Sequence, residues 1–109
     1  MVELLIKNIS EVEDVLQDKV KRICDEKSEY YNELFKKYDK DLTLEVIFDH
    51  SSSLYKVSAS LNLKSKKVLI AEEGKDIEKV VTGLFSEFKK AVKRQHELER
   101  KDYEYKRKR

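Results

Sequence analysis

The chain has 109 residues, of which 42% are charged and 39% hydrophobic, with 24 Lys or Arg against 22 Asp or Glu and a net charge of +2 at pH 7. That length suits one domain around one modest core, and the regular clustering of its apolar residues excludes a disordered chain. A single cysteine, Cys24, excludes an internal disulfide, while the absence of proline and the presence of only two glycines exclude long irregular loops.

Val2 to Ile9 is aliphatic and rich in β-branched residues, which predicts an opening strand, well covered around Leu4-Leu5-Ile6. Ser10 followed by Glu13 forms a capping-box pattern, with Glu11, Glu13 and Asp14 at the positive end of the helix dipole. The helix it predicts carries Val12, Leu16, Val20, Ile23, Tyr30, Tyr31 and Leu34 on its apolar side and reaches about Tyr38. Lys27 falls near the middle of that side, so either its stem lies along the core with the ammonium in water, or the helix bends or ends early. Cys24, beside the apolar face, is expected to be a small core residue.

Asp39-Lys40-Asp41 breaks the pattern, and Leu42, Leu44, Val46 and Phe48 then alternate with polar neighbours as in a half-buried strand. His50 to Ser53 reads as a turn. Tyr55, Val57, Ala59, Leu61 and Leu63 repeat the alternation, and Ser65-Lys66-Lys67 closes a second hairpin into Val68 to Ala71. Three strands joined by short turns should pair antiparallel. Glu72 to Lys75 lead to Asp76, the expected N-cap of a closing helix with Ile77, Val80, Val81, Leu84, Phe85, Phe88, Ala91 and Val92 on one side. Gly83 in mid-helix costs about 1 kcal/mol relative to Ala, which suggests close approach of the helix backbone to the sheet. The expected fold is α+β, a two-layer β-α-β-β-β-α sandwich with both helices on one face of a four-stranded sheet. Beyond Leu98 the apolar pattern fades into alternating charge, a segment that could be helical only when bound. The expected division is a body at 1–96 and a basic extension at 97–109.

Chemistry for catalysis is sparse. His50 and His96 lack partners at ligand spacing, Ser51 to Ser53 have no nearby base, and Glu72-Glu73 read as exposed strand-end acids. The expectation is a protein that is not an enzyme, with no metal and no cofactor. With no long apolar run and no signal-like region, a cytoplasmic location without membrane contact is expected.

The closing helix concentrates the positive charge. Lys79, Lys89, Lys93, His96 and Arg100 are expected opposite the apolar side, flanked by Lys90, Arg94 and Lys101. Residues 89 to 109 hold 10 Lys or Arg against 4 Asp or Glu, so of the totals of 24 and 22 the first 88 residues keep 14 against 18. A patch of this kind attracts phosphate better than the same charges scattered among carboxylates, and cations on a rigid helix suit structured RNA. Arg94 and Arg100 can stack on bases or fork onto phosphate, and Tyr103 and Tyr105 could stack on unpaired bases. The bland reading is a solvated helix end with a soluble tail.

This order of elements, with its opening strand ending in Lys7-Asn8-Ile9, resembles the ribosome hibernation promoting factors, also known as ribosome-associated inhibitors or sigma-54 modulation proteins. The likeness spans about Val2 to His96 and is most specific at Ala71-Glu72-Glu73-Gly74-Lys75-Asp76 and the helix with Phe88, Lys89, Lys90, Val92, Lys93 and Arg94. The pattern of Leu16, Val20 and Tyr30-Tyr31 is similar to that family's first helix. Ile23, Lys27 and Glu78 depart from the lysine, leucine and tyrosine often found there.

The resemblance implies a fold akin to the double-stranded-RNA-binding domain. It also implies binding between head and body of the small ribosomal subunit, in the path of mRNA and the A- and P-site tRNAs, which blocks translation. By position it implies that Lys79, Lys89, Lys90, Lys93 and Arg94 face rRNA, with Arg22 and Lys19 added from the first helix; outside the likeness, Arg100 and Lys101 of the basic stripe are expected to bind RNA too, and the basic tail could reach into the mRNA path. Lacking the dimer-forming second domain of the long members, the chain looks like a short form, monomeric off the ribosome. The alternative is a protein-interaction module that docks an acidic protein partner through the same helical face.

Overall fold

Alternation of apolar and polar residues along four segments builds one mixed sheet, and two amphipathic helices close its apolar side. A computed structural model describes the backbone of residues 1–107 and the side chains of residues 1–101. In chain order the elements are β1 (Val2–Lys7), α1 (Asp14–Leu34), β2 (Leu42–Ser51), β3 (Leu54–Asn62), β4 (Lys67–Gly74) and α2 (Ile77–Arg107), with a 3-10 turn at Ile9–Glu11. The sheet order is β1-β2-β3-β4. β1 runs parallel to β2, as the α1 crossover requires, and the other two pairings are antiparallel hairpins. This is the expected α+β sandwich.

Leu44, Val46, Phe48, Val57, Ala59 and Leu61 are fully buried on the covered face, and Val20, Cys24, Tyr31, Leu84, Phe88 and Val92 meet them from the helices. β1 is an edge strand and less covered than its composition suggests: Leu5 is 42% exposed and Leu4 and Ile6 are half-buried. A period of two sends one of three consecutive apolar residues to the open side of the sheet.

Several boundaries differ from the sequence expectations. The capping box at Ser10 does not form; Ser10 lies in the 3-10 turn, Val12 is extended and buried, and α1 starts after Glu13, which makes no side-chain cap. Burying Val12 outranks starting the helix early, and Gln17 Nε2 secures the first turn by donating to the Val12 carbonyl at 2.8 Å and to Asp14 Oδ1 at 3.1 Å. α1 ends at Leu34, where Phe35 turns into the core at 1% exposure. Lys27 is exposed, because the buried line of α1 passes through Cys24, Ser28 and Tyr31 beside it. His50 belongs to β2 and stacks on Tyr55 at 4.1 Å, so the hairpin turn shrinks to Ser52-Ser53. Both serines have positive φ, 49° and 64°, the backbone that a two-residue hairpin of right-handed twist demands.

α2 is capped as expected, with Asp76 Oδ1 accepting the N–H groups of Glu78 at 3.1 Å and Lys79 at 3.4 Å. Gly83 does not face the sheet: it is exposed, and a Cβ placed there would meet nothing within 4 Å. The glycine in close quarters is Gly74, where a Cβ would lie 3.0 Å from Val80 Cγ2. α2 is helical from Ile77 through Arg107.

Candidate nucleic-acid interface

The face of α2 that points away from the sheet is positioned by what lies beneath it. Phe88 packs on Tyr31 of α1 with ring centroids 5.6 Å apart, and Leu84 and Val92 are fully buried on either side of it. Further along, Glu99 fastens the helix to two loops. Its carboxylate accepts the Tyr38 hydroxyl at 2.6 Å, the Ser65 N–H at 2.8 Å and the Ser65 hydroxyl. Gln95 Nε2 donates to Ser65 Oγ at 2.8 Å, and the Lys64 N–H donates to the Tyr38 hydroxyl at 3.0 Å. Burial alone would raise the Glu99 pKa, but the hydrogen bonds from Ser65 and Tyr38 outweigh it and hold the carboxyl below the usual range. The α1–β2 connection, the β3–β4 turn and α2 are thus tied together, so the helix surface has a fixed pose.

His96 leaves the basic stripe. It follows Phe88 and Val92 at steps of four, which is the buried side, and its side chain is 15% exposed, edge-on to Phe35 at 4.8 Å and Tyr38 at 5.7 Å. Its Nδ1 is buried without a hydrogen-bond partner, 4.0 Å from Glu99 Oε1. Burial lowers its pKa against the opposing pull of Glu99, so the ring is neutral at pH 7.

The remaining cations divide into groups. Lys89, Lys90, Lys93 and Arg94 are exposed together on the outer face of α2, and Arg100 and Lys101 continue the series, a run of about 18 Å at 1.5 Å per residue. Among the described residues no acid lies within ion-pair distance of Lys89, Lys93 or Arg94, whereas Lys90 meets Glu87 at 3.5 Å. Lys89 also sits 4.6 Å above the Tyr30 ring, which orients its ammonium without neutralising it. Lys79 stands apart, about 15 Å along the helix behind the neutral stretch of Thr82, Gly83 and Ser86. It borders a depression shared with Glu72, Glu73 and Asp76.

The two cations expected from α1 stand near acids. Lys19 pairs with Glu78 at 3.1 Å. Arg22 is exposed on a helix face that also carries Asp18, Asp25, Glu26 and Glu29 at one-turn spacings. Conversely, Lys36 and Lys37 after α1, with Lys64 and Lys66 in the β3–β4 turn, gather at the same end of the molecule as Arg100. Lys64 is paired with Asp39. Their spacing in sequence gave no sign of this meeting; the hairpin and crossover bring them there. Tyr103 and Tyr105 lie outside the described side chains.

Among the described residues no group of three or more His, Cys, Asp or Glu side chains is gathered where it could hold a metal ion. No helix among them is long and apolar enough to cross a membrane. Cys24 is buried, and burial followed by the charge of Asp25 pushes its thiol up to about 12, which makes it unreactive. A comparison with protein-family models and a search of curated protein sequences each give no match for this chain.

Proposed function

We propose that this is a non-catalytic RNA-binding protein that grips structured RNA through the outer face of α2. In line with the resemblance to hibernation factors, it occupies the mRNA and tRNA channel of the small ribosomal subunit and blocks translation by occupying space. The single observation that carries this reading is the run of exposed cations from Lys89 to Arg94, three of them free of acids among the described residues, on a helix fastened at both its core and its Glu99 contacts. Cations held at fixed spacing lose little freedom on meeting phosphates, so their attraction is converted into affinity with little entropic loss.

Replacing Lys89, Lys93 and Arg94 together by Glu tests it. The variant keeps its circular dichroism, because all three side chains are exposed, and it no longer sediments with vacant ribosomes. Undiminished association of the folded variant would refute the reading. The second reading is a protein-interaction module that docks an acidic protein partner through the same face, which Lys89, Lys93 and Arg94, free of acids among the described residues, would equally serve. Partners that survive nuclease digestion of a native pull-down would select it over RNA.

A further inference from the structure

Where the end of α1 meets the second half of α2 the helix layer opens into a cleft of about 370 Å³. Three cations line it, Lys36, Lys37 and Arg100, and the one acid in the lining, Glu33, is paired with Lys36 at 3.7 Å. The rest of the lining is apolar or aromatic, from Leu34, Tyr38 and His96. The two rings are rigid: both lie edge-on against the buried Phe35, and the Tyr38 hydroxyl is locked by Glu99 and the Lys64 N–H. The buried Nδ1 of His96 is turned away from solvent, so another part of the imidazole borders the cleft.

A phosphate alone would use the cations and leave the apolar lining wet, and a neutral apolar ligand would leave the cations unmatched. A nucleotide has both halves, an anionic phosphate and a flat base that packs on aromatic and aliphatic side chains. The volume lies at the lower end of the roughly 300 to 1,000 Å³ of small-molecule pockets, room for one nucleotide. We propose that this cleft is a subsite for one unpaired nucleotide of a bound RNA, the base against Leu34, Tyr38 and His96 and the phosphate between Lys37 and Arg100. The inference rests on the RNA-binding reading, since Arg100 continues the α2 run into the cleft. It adds a preference for single-stranded or bulged RNA, because a regular duplex keeps its bases stacked inside.

The test follows the ring resonances of His96 and Tyr38 in the full chain by nuclear magnetic resonance during titration with adenosine 5′-monophosphate. Inorganic phosphate, adenosine and a short oligoglutamate are separate arms, and His50 and Tyr55, which stack on each other away from the cleft, are internal controls. The nucleotide is expected to shift His96 and Tyr38 saturably and leave the controls still. The double variant Lys37→Ala, Arg100→Ala should weaken that response about tenfold or more. Unmoved His96 and Tyr38 signals would overturn the proposal, as would an equal response to phosphate alone or to oligoglutamate. The triple α2 variant distinguishes the two failures: it should lose ribosome association yet keep the nucleotide response, whereas a cleft that fails leaves the ribosome association of the natural chain intact.

Discussion

His96 and Glu99 share a small buried volume and make acid the weak side of this protein. His96 is held neutral, so its folded pKa lies below the unfolded value of 6.5. As pH falls past that value the unfolded chain takes up the proton first, and stability is lost until the folded pKa is passed. Glu99, also depressed in the folded state, adds a second loss below about its ordinary 4.5. Urea unfolding between pH 7.5 and 5 should therefore show a declining midpoint, and His96→Phe, which suits the aromatic surroundings of Phe35 and Tyr38, should flatten that decline. An unchanged slope would place the titration elsewhere. Gly83 is a second residue whose environment decides its role: with open space around it, Gly83→Ala should stabilise by about 1 kcal/mol in thermal or urea unfolding. Sequence alone suggested the opposite, since a mid-helix glycine signals either close packing or nothing, and only neighbours in space distinguish the two. His96 was misplaced for a related reason: the apolar stripe of α2 continues past Val92 through polar residues, Gln95, His96 and Glu99, whose partners come from Tyr38 and Ser65.

At the scale of elements, the β2–β3 hairpin and α2 invite substitution. Ser52 and Ser53 each hold a left-handed backbone that costs an L-residue about 1 kcal/mol or more. Ser52→Asn with Ser53→Gly should therefore raise stability by about 1 to 2 kcal/mol, measured by chemical denaturation, with the fold unchanged. Phe88 is the opposite case, fully buried and in contact with Tyr31, and Phe88→Ala should cost about 3 to 5 kcal/mol. The periodicity of α2 was plain in the sequence because its buried residues recur at three and four. The start of α1 was not, because a good capping pattern at Ser10 competed with the burial of Val12, and a local signal cannot weigh a distant core.

Across the whole molecule, charge is sorted by the fold. The exposed side of α1 mixes Asp14, Asp18, Asp25, Glu26, Glu29 and Glu33 with Lys19, Lys21, Arg22 and Lys27, that of α2 is basic, and the turns carrying Lys36, Lys37, Lys64 and Lys66 lie at the end where Arg100 emerges. On the RNA-binding reading proposed above, such sorting favours an approach along α2. With about six cations engaged, affinity for RNA should fall about a thousandfold between 50 and 200 mM salt, and neutralising Lys89, Lys93 and Arg94 to Ala should reduce the salt slope by about 2 to 3. A salt-independent affinity would point to a partner recognised by other means.

The order of elements, the two-layer architecture, the Asp76 cap and the cationic character of α2 are all written in the sequence, because each follows from period, local capping or composition. Which cations have acids beside them was decided only by tertiary structure: Lys19 pairs with Glu78, Lys90 with Glu87, and His96 is drawn inward beside Phe35. The cleft beside Arg100 was likewise invisible, since it joins residues more than sixty positions apart. A charge's strength as a binding group depends on its neighbours within a few ångströms, and those neighbours are assigned by packing.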